Sequence, residues 1–490
     1  MNSPQTSSPA SSSARTPEAA SRPSEARKAP YADLLKDGRA LYTALIVLGT
    51  LMQALQILVI AIIMPTVVGD IGGAAYYTWP AMLYTIGSIV GAAAVVPVWT
   101  AFGGARKGYA LSGAAFLLGT IGCALAPDIG WLNGARLVQG FAGGLVSGGS
   151  MALMGSLFPA QLRTRILAIQ QSTFTASHLL GPVVGGLFAS FGWWRGSFWS
   201  MVPLLAIFTA VAWWKLPAGV GLEATRGKSS FPFLRLSVLS TAVCCIALIG
   251  PVPGVAWRIG FGALAMALFW LVLRMDRRSE NKLYPSNPLS VKTTLGLTLW
   301  ILVLMGLSQT ALSIFLPLLM QVVLHVSPVY VSVANITLSF AWTVGTFAVA
   351  GWSGPRERWA LILGAITMLL GFSGIVFNTF HPDLVFLVVS AFLFGFGIGM
   401  HFVHLMSRAM QSALKGEERV TASALSSIRS VGMAFGAALV GVLATFGGLG
   451  AGTDPEAVKS ALSLVFGLGL VPAFLTMAAT FYLVRMNSRR

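Results

Sequence analysis

Long apolar runs alternate with short polar segments from about residue 40 to residue 487. A helix that crosses a membrane needs about 20 mostly apolar residues, and fourteen runs in the chain meet that requirement. The seventh and eighth runs are separated only by the turn sequence GPVPG at 250–254. A merged run would be roughly twice the length of one span, so two helices are predicted. The predicted spans begin near Ala40, Tyr77, Gly108, Trp131, Arg165, Ser197, Leu236, Ala256, Leu297, Tyr330, Trp359, Leu384, Thr421 and Ser460.

The composition agrees with this pattern. Charged residues make up only 10% of the 490 residues, hydrophobic residues make up 56%, and the mean hydropathy is +0.78. Soluble domains carry about 25% charged residues. We therefore predict an all-α polytopic membrane protein, which depends on the lipid bilayer as its solvent.

The net charge is +17, and the basic residues are distributed along the chain in the way that the predicted topology requires. If the N-terminus is cytoplasmic and the spans alternate, the outer loops contain only Arg195, Arg258 and Lys459 as basic residues. Arg136 and Arg429 fall inside spans, and the rest of the 32 Lys and Arg lie on the cytoplasmic side. This is the positive-inside pattern. It predicts a protein of the cytoplasmic (inner) membrane with both termini in the cytoplasm, and it accounts for the basic charge without nucleic acid as a partner.

The runs divide into two halves. The segments ARKGYAL (105–111) and PRERWAL (355–361) form a weak internal repeat, because each precedes an apolar run after a Gly-containing turn. The first residues are rich in Ser, Pro, Ala and Arg, so they cannot bury a core, and they lack the apolar region of a signal peptide. We predict a disordered cytoplasmic tail (1–38), an N-terminal six-helix bundle (39–216), a cytoplasmic linker (217–235), two extra helices (236–275), a second linker (276–295) and a C-terminal six-helix bundle (296–487).

Five motifs lie within or beside these spans. They are WPAMLY (79–84), GARLVQGFAGG (134–144), SHLLGPVVGG (177–186), LPLLMQVVLHVSP (316–328) and IRSVGMAFGAALVG (428–441). Together they resemble the major facilitator superfamily and, more narrowly, its fourteen-helix drug:proton antiporter family. The resemblance implies the major facilitator fold, a small-molecule substrate held between the halves, protons as the coupling ion, and export by alternating access.

The resemblance also implies roles for particular residues. Gly181, Pro182, Gly185 and Gly186 match the antiporter element, whose small residues let helices approach and slide. Arg136 would take part in proton coupling, and a structural tie to helix-end carbonyls is the alternative. The remaining gating candidates are Arg106, Lys107 and Arg429; snorkelling to the interface is the alternative for Arg429.

The chain departs from that family at charged positions. Gln56 stands where the first helix of the family has an aspartate, and Phe102 stands at the acidic position of the loop after the second span. The corresponding loop of the second half offers only Trp352 or Ser353. None of the fifteen Asp and Glu residues falls within a predicted span. An organic cation would therefore meet no counter-charge, which favours a neutral, zwitterionic or anionic cargo.

Histidine is the remaining side chain that titrates near neutral pH. His178 precedes the Gly-Pro element in the fifth span and is the candidate proton carrier, with helix packing as its alternative. His401 and His404 share a helix face near the cytoplasmic end, where an interfacial role is favoured over a gate or a metal pair. The three cysteines lack metal-ligand spacing. We expect no metal site and no cofactor.

Polar and aromatic residues of the cavity-forming spans are the candidate substrate contacts, because amides bind without demanding a charge and rings supply apolar area. They are Gln53, Gln56, Trp79, Tyr84, Gln139, Gln170, Gln171, Thr173, Gln309, Asn335 and Trp342. We expect some of them to be interhelical ties instead.

The favoured function is proton-coupled, multidrug-type efflux of small amphipathic organic molecules by a monomer. Alternatives are export of an endogenous anionic or zwitterionic metabolite such as a siderophore, translocation of a lipid or lipophile, and a membrane sensor or scaffold that transports nothing. An enzyme is not expected, because the spans contain no carboxylate pair and no nucleophile–base constellation.

Overall fold

The computed structural model describes residues 31–34, 36, 38–217, 233–279, 285, 288, 290–414, 418–449 and 455–488. Within this part of the chain the regular structure is helical. The α-helices are α1 (Arg39–Ile71), α2 (Trp79–Ala93), α3 (Val95–Ala101), α4 (Ala105–Ala124), α5 (Ile129–Leu157), α6 (Ala160–Ser190), α7 (Trp194–Trp199), α8 (Val202–Lys215), α9 (Phe233–Leu248), α10 (Val255–Arg277), α11 (Thr294–Leu318), α12 (Pro328–Val349), α13 (Pro355–Phe380), α14 (Leu384–Gln411), α15 (Glu418–Phe446) and α16 (Pro455–Ser488).

Ten helical segments in the described part are long and apolar enough to cross a membrane. The pair formed by α2 and α3 is bent by 62° and makes an eleventh if it is counted as one span. α9 is also apolar, but its apolar part, Leu234–Leu248, is shorter than these segments. Most of the predicted tail and of the first predicted linker lies outside the described residues, as do residues 280–284, 286, 287 and 289 of the second linker.

The end of the predicted disordered tail is ordered. Residues Tyr31–Leu34 form one turn of 3-10 helix, and the Leu34 side chain is only 1% exposed. It packs with Ile46, Phe158 and Leu162 at the ends of α1, α5 and α6. The tail prediction is therefore wrong for these four residues, because Leu34 adds an apolar anchor to an otherwise polar segment.

The helices form two bundles and a separate pair. α1 to α8 pack together, with the main contacts between α2 and α5, α1 and α6, and α4 and α5. α11 to α16 form the second bundle through α13 with α14, α12 with α14, and α11 with α15. α9 and α10 pack on each other, and α9 also contacts α15 and α2. The bundles meet along α6 with α12 and along α2 with α15.

Glycines allow some of the closest helix contacts. A Cβ atom added at Gly87 in α2 would lie 2.5 Å from the Leu137 carbonyl oxygen of α5. A Cβ added at Gly364 in α13 would lie 2.8 Å from the His401 backbone nitrogen of α14. Both distances are shorter than real carbon contacts, so these pairs of helices approach through glycine, as small residues permit in membrane bundles.

Carboxylates of the described residues lie at helix ends. Asp70 is in the last turn of α1 and pairs with Arg195 at 2.6 Å, and Glu357 in the first turn of α13 pairs with Arg408 at 2.6 Å. Asp276 was expected in a cytoplasmic segment beyond the eighth span. It lies in the last turn of α10 and is buried there, where it forms an ion pair with Arg235 of α9.

Candidate functional site

A small cavity lies where the two bundles face each other. Its walls come from α1, α2 and α5 on one side and from α11 and α15 on the other. Tyr84 and Arg136 are on the first wall, and Thr310, Ser313 and Met433 are on the second. The volume of about 50 Å³ has room for water but not for an organic molecule. Cargo would need the walls to separate further.

The Arg136 side chain is fully buried and is held by neutral groups. Its Nε donates to the Pro80 carbonyl at 3.1 Å, Nη1 to Gln139 Oε1 at 2.5 Å and Nη2 to the Gln56 carbonyl at 3.3 Å. The guanidinium carbon also lies 4.3 Å from the centre of the Tyr84 ring. A guanidinium has five N–H donors, so donors remain after these three bonds.

The side chains of the two glutamines beside Arg136 form hydrogen bonds inside the first bundle. Gln139 is fully buried; it accepts from Arg136 and donates from Nε2 to Thr120 Oγ1 at 2.9 Å. Gln56 was expected to contact substrate, but its side chain is fully buried and donates to Met201 Sδ at 3.0 Å. That expectation is wrong in this conformation, because the Gln56 side chain points toward the α7–α8 junction and only its carbonyl reaches Arg136.

A second arginine occupies a comparable position in the other bundle. Arg429 of α15 donates from Nη2 to Gln309 Oε1 at 3.2 Å. Its guanidinium carbon lies 5.3 Å from the Trp342 ring centre and 5.4 Å from the Phe402 ring centre. The Arg429 side chain thus packs between aromatic rings within the bundle. This placement does not fit the alternative of snorkelling to the interface.

His178 lies near this second arginine, although it belongs to the first bundle. The two side chains are close enough to interact electrostatically. His178 Nδ1 is 2.7 Å from the Phe174 carbonyl, and a carbonyl can only accept, so Nδ1 carries a proton. The other ring nitrogen, Nε2, then carries the lone pair that can accept a proton. His178 is not among the residues that line the small cavity.

The Gly-Pro element lies at the seam between the bundles. Ser332 Oγ of α12 donates to the Pro182 carbonyl at 2.5 Å, and a Cβ added at Gly186 would lie 2.7 Å from the Pro328 carbonyl oxygen. On the other side of α6, a Cβ added at Gly181 would lie 2.7 Å from Leu58 Cβ. The element therefore brings α6 close to both α1 and α12.

Further contacts close the same end of the molecule. We call this end, at which α1 ends and α2 begins, the distal face. The opposite end, at which α1 begins, is called the proximal face. The Tyr77 and Phe315 rings stack with centres 5.3 Å apart. Gln321 Nε2 donates to the Ile62 carbonyl at 3.0 Å. With the Ser332 bond, these contacts join the two bundles at the distal face.

Several predicted contact residues act as ties or lie away from the cavity. Gln53 donates to Ser88 Oγ at 3.2 Å, Gln170 donates to Thr50 Oγ1 at 3.2 Å, and the Trp79 ring lies against Tyr76. Thr173 and Asn335 donate to carbonyls of their own helices, at Ile169 and Val331. The side chain of Gln171 lies outside the described residues.

The basic candidates Arg106 and Lys107 lie at the proximal face. Arg106 Nε donates to the Trp213 carbonyl at 2.6 Å, which ties α4 to α8 within one bundle, and Lys107 is exposed. Sequence reasoning missed the corresponding contact of the second bundle, the Glu357–Arg408 ion pair. The signal was available, since Glu357 occupies the position of Lys107 in the repeat.

The paired histidines pack inside the second bundle. His401 Nδ1 lies 2.9 Å from the Leu361 carbonyl and His404 Nε2 lies 2.9 Å from the Val349 carbonyl, and both side chains are buried. The expected interfacial role is therefore wrong; these residues join α14 to α13 and α12. The described residues contain no group of three or more His, Cys, Asp or Glu placed to hold a metal ion.

Comparison with known proteins identifies the class of protein. A family model described as Major Facilitator Superfamily matches residues 46–437. The chain belongs to this superfamily, and it is a multi-pass membrane transporter rather than an enzyme. The helical architecture and the cavity between two bundles agree with that membership.

Relatives and solved structures agree at modest identity. A "Probable multidrug-efflux transporter" of Mycobacterium tuberculosis is 29% identical over 427 residues, covering 84% of this chain and 89% of the relative. "Multidrug resistance protein 3" of Bacillus subtilis is 24% identical, covering 82% and 78%. A crystal structure of a peptide transporter, POT, aligns with a TM-score of 0.66 at 16% identity, covering 91% and 95%. An inward-facing bacterial homologue of the human lysosomal transporter Spinster aligns at 0.62 and 15%, covering 92% and 98%.

Proposed function

We propose that this transporter exports small amphipathic organic molecules by alternating access, and that neutral and anionic cargo is preferred to cationic cargo. The observation that carries the preference is the charge of the site. Arg136 lines the cavity between the bundles and is held by carbonyls, an amide and a ring. Arg429 is held in the same way in the other bundle.

Neutral partners leave both positive charges uncompensated among the described residues. A buried guanidinium without a carboxylate repels a cation, and juxtaposed like charges cost several kcal/mol at an interface. A carboxylate or phosphate on the cargo would instead use the remaining N–H donors of the guanidinium. This supports an endogenous anionic or zwitterionic metabolite as a second candidate for the cargo.

The proposed topology has fourteen spans in the manner of the drug:proton antiporters. The ten long apolar segments, the bent pair α2–α3, the shorter α9, and α4 and α6 together make this number. α4 and α6 contain more polar residues, which suits helices buried in a bundle. The basic segments assign the proximal face and both termini to the cytoplasm. The distal contacts then support an inward-facing state.

Protons are the proposed coupling ion, and His178 is the proposed carrier. The carboxylates of the described residues lie at helix ends, whereas His178 lies between the bundles beside Arg429. Antiport requires that the proton and the cargo occupy the transporter in turn, so binding of cargo is expected to displace the proton from His178.

Transport into inverted membrane vesicles with an imposed pH gradient tests the proposal. Three fluorescent compounds of matched shape serve as probes: a carboxylate, its methyl ester and a quaternary-amine analogue. We expect the gradient to drive accumulation of the carboxylate and the ester at least about tenfold faster than the amine. Arg136→Gln should reduce this difference in rate.

Two outcomes would contradict different parts of the proposal. Equal or faster accumulation of the amine would exclude the charge preference. No response of any probe to the pH gradient in the wild type would exclude proton antiport while leaving the superfamily membership unaffected. Ser313→Asp is the complementary variant, because it places an acid on the cavity wall opposite Arg136 and should raise transport of the amine.

A further inference from the structure

A second and larger cavity lies on the membrane flank of the molecule. It is a groove of about 340 Å³ between the extra pair α9–α10 and the helices α11 and α15. Its lining is apolar throughout and includes Phe269, Trp300, Val303 and Phe435. It is separate from the central cavity, since Val431 and Phe435 face the groove while Met433 and Ala437 face the centre from the opposite side of α15.

The length of the groove corresponds to one leaflet of a bilayer. Along α15 its lining runs from Ile428 to Leu439, which is roughly 16 Å at the helical rise of 1.5 Å per residue. The hydrocarbon core of a membrane is about 30 Å thick, so one leaflet is about half of that. An empty groove of this size would forfeit dispersion contacts along its whole lining. A lipid acyl chain is the apolar molecule available at this depth.

The charge at the proximal end of the groove indicates which lipid fits. Arg274, Arg277 and Arg278 are exposed at the end of α10, immediately after the groove-lining residue Leu273. The carboxylate of the same turn, Asp276, is already paired with Arg235. These arginines are therefore available to an anionic headgroup, and basic residues at a membrane surface attract anionic lipids.

We propose that the groove binds one acyl chain of an anionic phospholipid, with the phosphate against the arginines at the end of α10. The lipid completes the packing between the extra helices and the C-terminal bundle. It lies against the outer face of α15, whose inner face lines the central cavity. The extra pair is thus held to the transporter partly by lipid.

Lipid retention by the full-length purified protein tests the proposal without any measurement of transport. The protein is reconstituted in bilayers of equal parts phosphatidylglycerol and phosphatidylcholine, extracted in mild detergent, and examined by native mass spectrometry. We expect one phosphatidylglycerol per protein, retained at least tenfold over phosphatidylcholine. Neutralising all three arginines (R274Q/R277Q/R278Q) should weaken phosphatidylglycerol binding about a hundredfold, since each basic residue contributes about fivefold.

Two matched controls separate the groove from general effects. Lys215→Gln removes an exposed charge at the proximal end of α8, and it should leave retention unchanged. Val303→Phe fills the groove and should release the lipid, whereas Val138→Phe changes a lipid-facing residue of α5, 51% exposed, and should not. Equal retention of the two lipids, retention in Val303→Phe at the wild-type level, or no lipid on the wild type would each overturn the proposal.

Discussion

The guanidinium carbon of Arg136 lies 4.3 Å from the centre of the Tyr84 ring, and both side chains are fully buried on one wall of the cavity between the bundles. The ring faces a charge that has no carboxylate partner among the described residues. The Tyr84 hydroxyl donates to the Gln53 carbonyl at 3.1 Å, which fixes the position of the ring. The ring in turn fixes the position of the guanidinium that packs against it.

The contact between these two residues gives the first prediction. Tyr84→Leu removes the ring and should slow transport roughly thirtyfold, since a desolvated cation–π contact contributes about 2 kcal/mol. Tyr84→Phe keeps the ring and loses only the hydroxyl bond, so its transport should stay within about threefold of wild type. Initial rates in vesicles, corrected for protein amount, measure both. Equal loss in the two variants would show that the hydroxyl, not the ring, matters.

Coupling at His178 gives the second prediction. His178→Ala should abolish transport driven by a pH gradient but should retain exchange of labelled for unlabelled cargo, which needs no net proton movement. The control is His401→Gln, because both ring nitrogens of His401 contact groups of the second bundle, the Leu361 carbonyl and the Thr480 hydroxyl. It should keep the response to the gradient. Gradient-driven transport by His178→Ala at the wild-type rate would remove this residue from the mechanism.

The seam between α6 and α12 gives the third prediction. Gly186→Ala would put a methyl group 2.7 Å from the Pro328 carbonyl oxygen and against Ser332, so the distal contact must loosen. We expect more frequent opening there, read as faster labelling of a cysteine at Ser313 by a membrane-impermeant maleimide added at the distal face.

Gly134→Ala is the matched control for this change. Gly134 is also helical, but an added Cβ there has no atom within 4 Å. It should leave the labelling rate unchanged and should slightly stabilise α5, since alanine is the better helix former. Identical labelling of the two variants would mean that the α6–α12 contact does not limit distal opening.

The ion pair between α9 and α10 gives the fourth prediction. The Arg235 and Asp276 side chains are only 6% and 7% exposed, and Asp276→Asn removes the negative charge from this buried pair. Loss of one member of a buried pair costs about 3–5 kcal/mol, and the variant should unfold at a clearly lower temperature. The exchange of both residues (R235D/D276R) should recover most of the loss. Thermal unfolding in detergent measures this, and an unchanged Asp276→Asn protein would assign the pair no structural role.

Much of the fold could be predicted from the sequence because apolar length is local information. The apolar runs around Ile60, Leu302 and Phe394 are helices with buried centres. The small residues of the Gly-Pro element predicted close helix contacts, and Gly181 and Gly186 do lie where α6 approaches α1 and α12. The number of spans stays a prediction. α4 and α6 are long helices, but their polar residues keep them below the hydropathy expected of a membrane span.

The site was less predictable, because residue type does not fix side-chain direction. Arg136, a candidate from the sequence, is buried on the cavity wall, and its role in transport stays a prediction. Gln56 and Gln139 lie within one turn of the relevant depth but face the bundle interior. Ser313 and Thr310, which do line the cavity, were not among the candidates, since a small hydroxyl in an apolar helix gives no pattern.

The sequence by itself determined the class of the protein, the helical character of its spans and the scarcity of acids within them. Those properties depend on the local composition of each helix, because that composition decides whether the helix is stable in the bilayer. Only the tertiary structure decided which polar groups pair, that α6 meets α12 at the Gly-Pro element, and that an apolar groove separates the extra helices from α11 and α15. These features depend on how the helices are rotated and packed. That arrangement is determined jointly by residues that are far apart in the chain.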